Sequence, residues 1–187
     1  MVGDDPFLGV PEVPAIQNHP GCGSPPRFVV GPELGRLARW LRILGFDARL
    51  EKTRVRSEDL AGETGGGVLL TRSAGIGAEA RDAVVIHADR VFAQLREVIH
   101  ALAITPDMLR LFSRCTLCNA LLKAVDKDRI RGDVPDYVWE NHHRFQRCPI
   151  CRRIYWQGTH ARRTRKTAMD LFAPGPPPPA AHKTVEP

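Results

Sequence analysis

Four cysteines in two pairs, Cys115-Thr-Leu-Cys118 and Cys148-Pro-Ile-Cys151, are the residues of this chain best suited to chemistry. Each pair is a C-x-x-C turn, and residues 119–147 lie between them. One such turn aims two thiolates at a single ion, and two turns complete a tetrahedron around Zn²⁺. Four protein ligands leave no open position for water or substrate, so the expected zinc site is structural rather than catalytic. His142 and His143 precede the second pair, but they compete with four cysteines at ideal spacing and read as surface histidines. Cys22, the odd cysteine, lies in a Pro/Gly-rich stretch and reads as an unpaired thiol.

The surround of the second pair is basic. From Arg144 through Lys166 there are eight Arg/Lys and no acid, with Phe145, Tyr155, Trp156 and His160 interleaved. Cations beside stackable rings suit phosphates and unstacked bases, so Arg147, Arg152, Arg153, Tyr155, Trp156, His160, Arg162 and Arg163 are candidate nucleic-acid contacts. A net charge of +6 over 187 residues agrees with such a partner without specifying it.

Composition limits the rest. The length suits one compact domain plus a small module. Prolines concentrate in residues 1–32 and 174–187, marking both ends as poorly ordered. No run of 18 apolar residues exists, so no membrane span is expected. The first residues lack the basic and apolar regions of a signal peptide. The expected location is cytoplasmic, where paired cysteines bind metal more often than they form disulfides.

The elements that position these residues follow from hydrophobic spacing. Arg27-Phe-Val-Val30 reads as a strand, and Pro32 suits the first helical position. Leu34, Leu37, Leu41 and Leu44 then share one helical face. Arg36, Arg39 and Arg42 are expected on the opposite face, either as a solvated stripe or as a phosphate-facing edge. Asp47 to Glu51 and the apolar runs Val68–Thr71 and Ala83–Ile86 read as further strands. Ser57 opens a short helix with Glu58 and Asp59 in its first turn, and Asp89 is expected to cap a helix from Arg90 to Leu102. Strand–helix alternation over 27–102 predicts an α/β fold, an open parallel sheet flanked by helices. In such sheets the functional crevice lies beyond the carboxyl ends of the strands, here near Gly31, the stretch after Leu50, Thr71–Ser73 and His87–Asp89. The expected organisation is a disordered 1–26, an α/β domain at 27–112, a zinc module at 113–166 and a Pro-rich disordered tail at 167–187.

Several phrases together carry a resemblance. They are Arg27-Phe-Val-Val, Leu34-Gly-Arg-Leu-Ala-Arg-Trp-Leu-Arg-Ile-Leu-Gly-Phe-Asp47, Leu69-Leu-Thr-Arg72, Ser113-Arg-Cys-x-x-Cys-Asn119, Val134-Pro-x-Tyr137, Phe145-x-Arg-Cys148-Pro-x-Cys151 and Ile154-Tyr-Trp-x-Gly-Thr-His160. In this order they resemble the PIN-like ribonuclease family of the Mut-seven C-terminal RNase domain, over about 27–166. The resemblance implies a PIN-like α/β domain, a following zinc ribbon, and RNA cleavage assisted by Mg²⁺ or Mn²⁺ on a carboxylate cluster at the strand ends. Several acids must converge there, because such hard ions need multiple oxygen ligands.

At those positions the chain departs from the family. The aspartate usual after the first strand is Gly31, and the one usual after Leu-Thr-Arg is Ser73, followed by Ala74-Gly75. Glu58, Asp59 and Asp89 are the remaining catalytic candidates, although each also reads as an acid favouring a helix N-terminus. Glu33 is a candidate substitute for the missing first acid, but its place at the helix start is expected to point it elsewhere. The expectation is therefore an RNA-binding protein with a structural Zn²⁺ and a weakened nuclease site. Alternatives are an active ribonuclease using Mg²⁺ or Mn²⁺ on non-standard carboxylates, and a zinc-ribbon adaptor between proteins.

Overall fold

Alternation within the first strand, β1 (Arg27–Val30), divides the core into two layers. Phe28 and Val30 enter one apolar cluster and Val29 enters another, as the two-residue period of a strand requires. The computed structural model describes residues 25–53, 67–80 and 82–173. In it β1 pairs in parallel with β2 (Asp47–Leu50) on one side and β3 (Val68–Thr71) on the other. Beyond β3 lies β4 (Ala83–Val85), also parallel, so the order is β2-β1-β3-β4. This is the expected open parallel sheet. The chain leaves β1 toward one edge and returns through β3 on the other side, which makes the β1/β3 boundary the topological switch point.

The larger layer is built by two amphipathic helices. Pro32 starts a 3₁₀ turn (Pro32–Leu34) that leads into α1 (Gly35–Leu44). Leu34, Leu37, Leu41 and Leu44 are buried at spacings of three and four, on the face the sequence marks. Phe46 meets Phe28 edge to face at 5.6 Å. Each such buried side chain contributes about 1.5–3 kcal/mol. The opposite sheet face is covered by α2 (Ala74–Glu79), where Ile76 packs on Val29 and Leu69. The second large helix is α3 (Val91–Ala101), with Leu95 and Val98 in the main core.

A glycine turn then brings the two halves of the chain together. Gly45 ends α1 with φ +100°, a conformation that favours glycine. A Cβ at residue 45 would also collide with the Arg110 carbonyl. That close approach lets the connecting segment run along the end of α1, with Arg110 N–H bonded to Leu44 O at 3.0 Å and Phe112 N–H to Ile43 O at 2.9 Å.

Beyond it stands the ribbon: β5 (Lys123–Val125), β6 (Phe145–Arg147) and β7 (Ile154–Trp156), an antiparallel sheet in that order. Its own small core is Ile130, Val134, Val138 and Phe145, with Val138 supplied by α4 (Asp136–Asn141).

The ordered chain does not stop at 166. The last helix, α5 (Thr159–Asp170), crosses that expected boundary, and its Ala168 and the following Leu171 are buried in the core of the α/β domain. The expectation of disorder from 167 onward is therefore corrected for 167–173. The apolar positions after the basic run attach the C-terminal helix to the first domain. The helix expected around Glu58 and Asp59 and the terminal segments 1–24 and 174–187 lie outside the described residues. Among the described residues no helix is long and apolar enough to cross a membrane.

Candidate metal centre and strand-end crevice

The crevice at the β1/β3 switch point is lined by Gly31, Pro32, Glu33, Thr71, Arg72, Ser73 and Ile76. The lining includes two of the four strand ends named from the sequence, Gly31 and Thr71–Ser73. Its chemistry is unusual for a hard-ion site, because Glu33 is the one carboxylate among its described lining residues. Glu33 does not point away along the helix start, which corrects the expectation. Its Oε1 accepts the Arg72 N–H at 3.0 Å and lies 3.4 Å from the Thr71 Oγ1, which donates to it. A Cβ placed on Gly31 would lie 2.6 Å from that same Oε1. The carboxylate of residue 33 thus fills the space that a side chain at residue 31 would enter. The absence of a side chain at Gly31 is what allows this fold-back.

Asp89 is engaged elsewhere. Its Oδ1 accepts from Arg72 Nη2 at 2.8 Å, and its side chain is 89% exposed. It does not cap α3: Arg90 holds the N-cap position, with no side-chain cap bond. The reason is local competition. The Arg72 guanidinium also donates to Ala88 O at 3.1 Å, Gln94 Nε2 donates to the same carbonyl at 3.0 Å, and Glu97 accepts the His87 and Ala88 N–H groups at 3.0 Å each. This network fixes the 87–89 turn and draws Asp89 to Arg72. One crevice carboxylate does not fit Mg²⁺ or Mn²⁺, which want several oxygen ligands in near-octahedral array. Glu58 and Asp59 lie outside the described residues.

The cysteines behave differently. All four Sγ atoms of Cys115, Cys118, Cys148 and Cys151 lie within 4.8 Å of one another. Zn–S bonds of about 2.3 Å in a tetrahedron place sulfurs roughly 3.8 Å apart, so the set fits an ion such as zinc. Each turn also shapes itself: Cys118 N–H bonds to Cys115 Sγ at 3.3 Å and Cys151 N–H to Cys148 Sγ at 3.5 Å. Burial would raise the Cys115 thiol, but hydrogen bonds from Tyr155 and from the Cys118 and Leu117 amides outweigh it and bring the group down to about 6. Cys118 is pushed up to about 12, first by its hydrogen bond with Cys151, then by burial and the Cys115 charge. Four crowded sulfurs cannot all ionise alone; a cation that neutralises them removes the obstacle.

A network absent from the sequence reading docks this centre on the α/β domain. Arg42 is buried, not part of a solvent-facing stripe, which corrects its assignment as an RNA contact. Its Nε donates to Ala48 O at 2.8 Å, and its Nη1 donates to Thr116 O at 3.1 Å and Leu117 O at 2.8 Å, inside the first cysteine turn. Burial lowers its pKa from the usual guanidinium value, and the Cys115, Cys118 and Asp47 charges oppose that shift. Asn119 donates to Asp47 Oδ1 at 2.6 Å and accepts the Ala48 N–H at 3.1 Å. Arg114 reaches Asp47 Oδ2 at 3.4 Å and donates to Gly45 O and Asn119 O. Asn119 takes φ +65°, a left-handed conformation that asparagine tolerates well. The asparagine directly after the first cysteine pair was the available signal.

The basic surface divides in the same way. Tyr155 is held inward: its hydroxyl lies 3.1 Å from Cys115 Sγ and accepts the Thr116 N–H at 3.3 Å, so it supports the metal turn and is not a free stacking ring. Arg147 pairs with Asp133. Arg36, Arg39, Arg152, Arg153, His160, Arg162 and Arg163 are exposed, as is Trp156. None of these arginines has an ion-pair partner among the described residues.

The protein is thus an open parallel α/β sheet with a crevice at its switch point, carrying a four-cysteine ribbon docked through its first turn. The family model described as the Mut7-C RNAse domain matches residues 26–168, and the chain belongs to that family. No curated protein and no solved structure matches it significantly.

Proposed function

We propose that this chain is an RNA-binding member of its family whose nuclease site is weakened or lost. The observation that carries the reading is a contrast among the described residues, between one crevice carboxylate, Glu33, and a broad set of exposed arginines on α1, the ribbon and α5 that have no ion-pair partner there. Family membership supports RNA as the partner. In this reading the ribbon ion is Zn²⁺, held by Cys115, Cys118, Cys148 and Cys151 as a closed structural site. RNA is held by Arg36 and Arg39 on α1, by Arg152, Arg153, Trp156 and His160 around the ribbon, and by Arg162 and Arg163 on α5, with Arg147 shared between Asp133 and phosphate. The paired cysteines fit a cytoplasmic setting.

Salt-dependent filter binding tests the binding half, since phosphate contacts release counterions and lose affinity steeply as salt rises. A cleavage assay in Mg²⁺ and in Mn²⁺, with and without EDTA, tests the other half. The expected result is salt-sensitive binding without metal-dependent product.

The fold-back of Glu33 favours a second reading, an active ribonuclease in which Glu33 stands in for the acid missing at Gly31 and works with Glu58, Asp59 or Asp89. That reading expects Glu33→Ala to abolish an EDTA-sensitive cleavage while the fold persists. If the wild-type chain shows no such cleavage, the second reading is excluded.

A further inference from the structure

A cleft of about 540 Å³ opens on the ribbon between the turn at Asp133–Pro135 and the second cysteine pair. Its size falls within the roughly 300–1,000 Å³ usual for small-ligand sites. The charge inside it is unbalanced. Asp133 is already paired with Arg147, which leaves Arg152 and Arg153 as cations without a carboxylate among the described residues.

Trp156 lies at the end of β7 and also lines the cleft. The ribbon's other tryptophan makes the contrast plain. Trp139 carries Lys127 Nζ at 4.5 Å and the Arg131 guanidinium at 5.0 Å over its ring, and donates its Nε1–H to Lys127 O at 3.0 Å. Trp156 has no ring or cation stacked on it among the described residues, its indole N–H makes no hydrogen bond there, and the residue is 36% exposed. A large aromatic left open beside two unpaired guanidinium groups suits a flat, anionic ligand. Three residues after Trp156 the chain enters α5, where Arg162, Arg163, Arg165 and Lys166 are exposed, so the cationic surface continues past the cleft.

We propose that this cleft takes one unstacked nucleotide of single-stranded RNA, its base on the Trp156 ring and its phosphate between Arg152 and Arg153. The inference rests on the RNA-binding reading and sharpens it. In a duplex each base face is covered by its neighbours, so a lone ring has nothing to stack on; in a single strand a base turns out freely. Arg162 and Arg163 on α5 contact the backbone and do not distinguish the two forms. The cleft supplies the preference for single strands.

The test uses the full, metal-loaded chain, one labelled single-stranded RNA of mixed sequence, and the duplex of that sequence. Trp156→Ala lowers single-strand affinity by roughly 5- to 150-fold, the effect of losing one stacked base, and leaves duplex affinity unchanged. Trp156→Phe restores most of the loss, and Arg162→Glu with Arg163→Glu weakens both forms alike. Bound metal and circular dichroism establish that each variant is folded. A second measurement needs no variant: 5-bromouracil-substituted RNA is photo-cross-linked to the wild-type chain and the site is mapped by mass spectrometry, with the expected adduct on Trp156.

Wild-type binding to RNA with no change in Trp156→Ala, an equal loss for both RNA forms, or adducts confined to α5 would overturn the cleft and leave the RNA reading standing. Absence of binding to either RNA at low salt would overturn both, and would point instead to a protein partner.

Discussion

In the ribbon, two short turns bring four sulfurs within 4.8 Å of one another. At the strand-end crevice, where the resemblance implies a cluster of carboxylates, the described lining residues bring one, from Glu33. The two regions differ in how their sites are made. Each cysteine turn is local: its two sulfurs and its own N–H···S bond arise within four residues. A carboxylate cluster is distributed, one acid per strand end, and each strand must contribute. The resemblance implies an acid at each of positions 31 and 73; in the reading proposed here Gly31 and Ser73 leave out two contributors while the sheet keeps its pairing, with Gly31 N–H bonded to Leu70 O at 2.9 Å. A local site survives as a unit, whereas a distributed one is vulnerable at each member.

Breaking the ribbon has the largest expected effect. Cys148→Ser should lose the bound ion and the ribbon's fold together, since binding free energy of about 10–16 kcal/mol for such sites is also folding free energy. Metal analysis and protection from protease would record it. Retention of the ion should also fall as pH falls. Protons compete for the thiolates, and Cys118, pushed up to about 12 in the absence of metal, must give up its proton to bind. Chelator competition at several pH values reads this directly; stronger retention in acid would contradict it.

Next comes the link between the two regions. Arg42→Met strands the Ala48, Thr116 and Leu117 carbonyls and should cost about 3 kcal/mol. Arg42→Lys should rescue little, because an ammonium cannot span three carbonyls as a planar fork does. Denaturant melts give the size. Loss of bound metal in the same variants would show how far the docking supports the cysteine turn.

Leu171→Ala should cost about 2–3 kcal/mol and lower the midpoint of the α/β domain, because that side chain completes the first domain's core and not the ribbon's. An unchanged melt would detach α5 from the first domain.

The smallest effect is expected at the crevice. Gly31→Asp should displace the tip of Glu33, a flexible side chain, with a stability change of about 1 kcal/mol or less. If the melt falls by much more, the Glu33 fold-back is a structural support rather than an occupant of freed space.

How much of this was legible depended on sequence separation. The cysteine turns, the leucine face of α1 and the apolar strands are patterns within a few residues, and the structure reproduces them. Arg42 was misread because helical periodicity put it on the polar face, while its partners at Thr116 and Leu117 lie more than 70 residues away. Glu33 was misread because its direction is set by a conformer and by β3, not by its position in the helix. Asp89 had the residue type of a cap, but an arginine from the neighbouring strand captured it. The extent of α5 past 166 was not legible, because the basic run at 162–166 hid the apolar Ala168 and Leu171 that follow.

The reading proposed above has this molecule holding RNA without cutting it. The direct measurement incubates labelled single-stranded RNA with the metal-loaded chain in Mg²⁺ or Mn²⁺ and follows both retention on a filter and length on a denaturing gel. The expected outcome is RNA that is retained at low salt, released as salt rises, and intact throughout. Product accumulating over many turnovers, and stopped by EDTA, would contradict it.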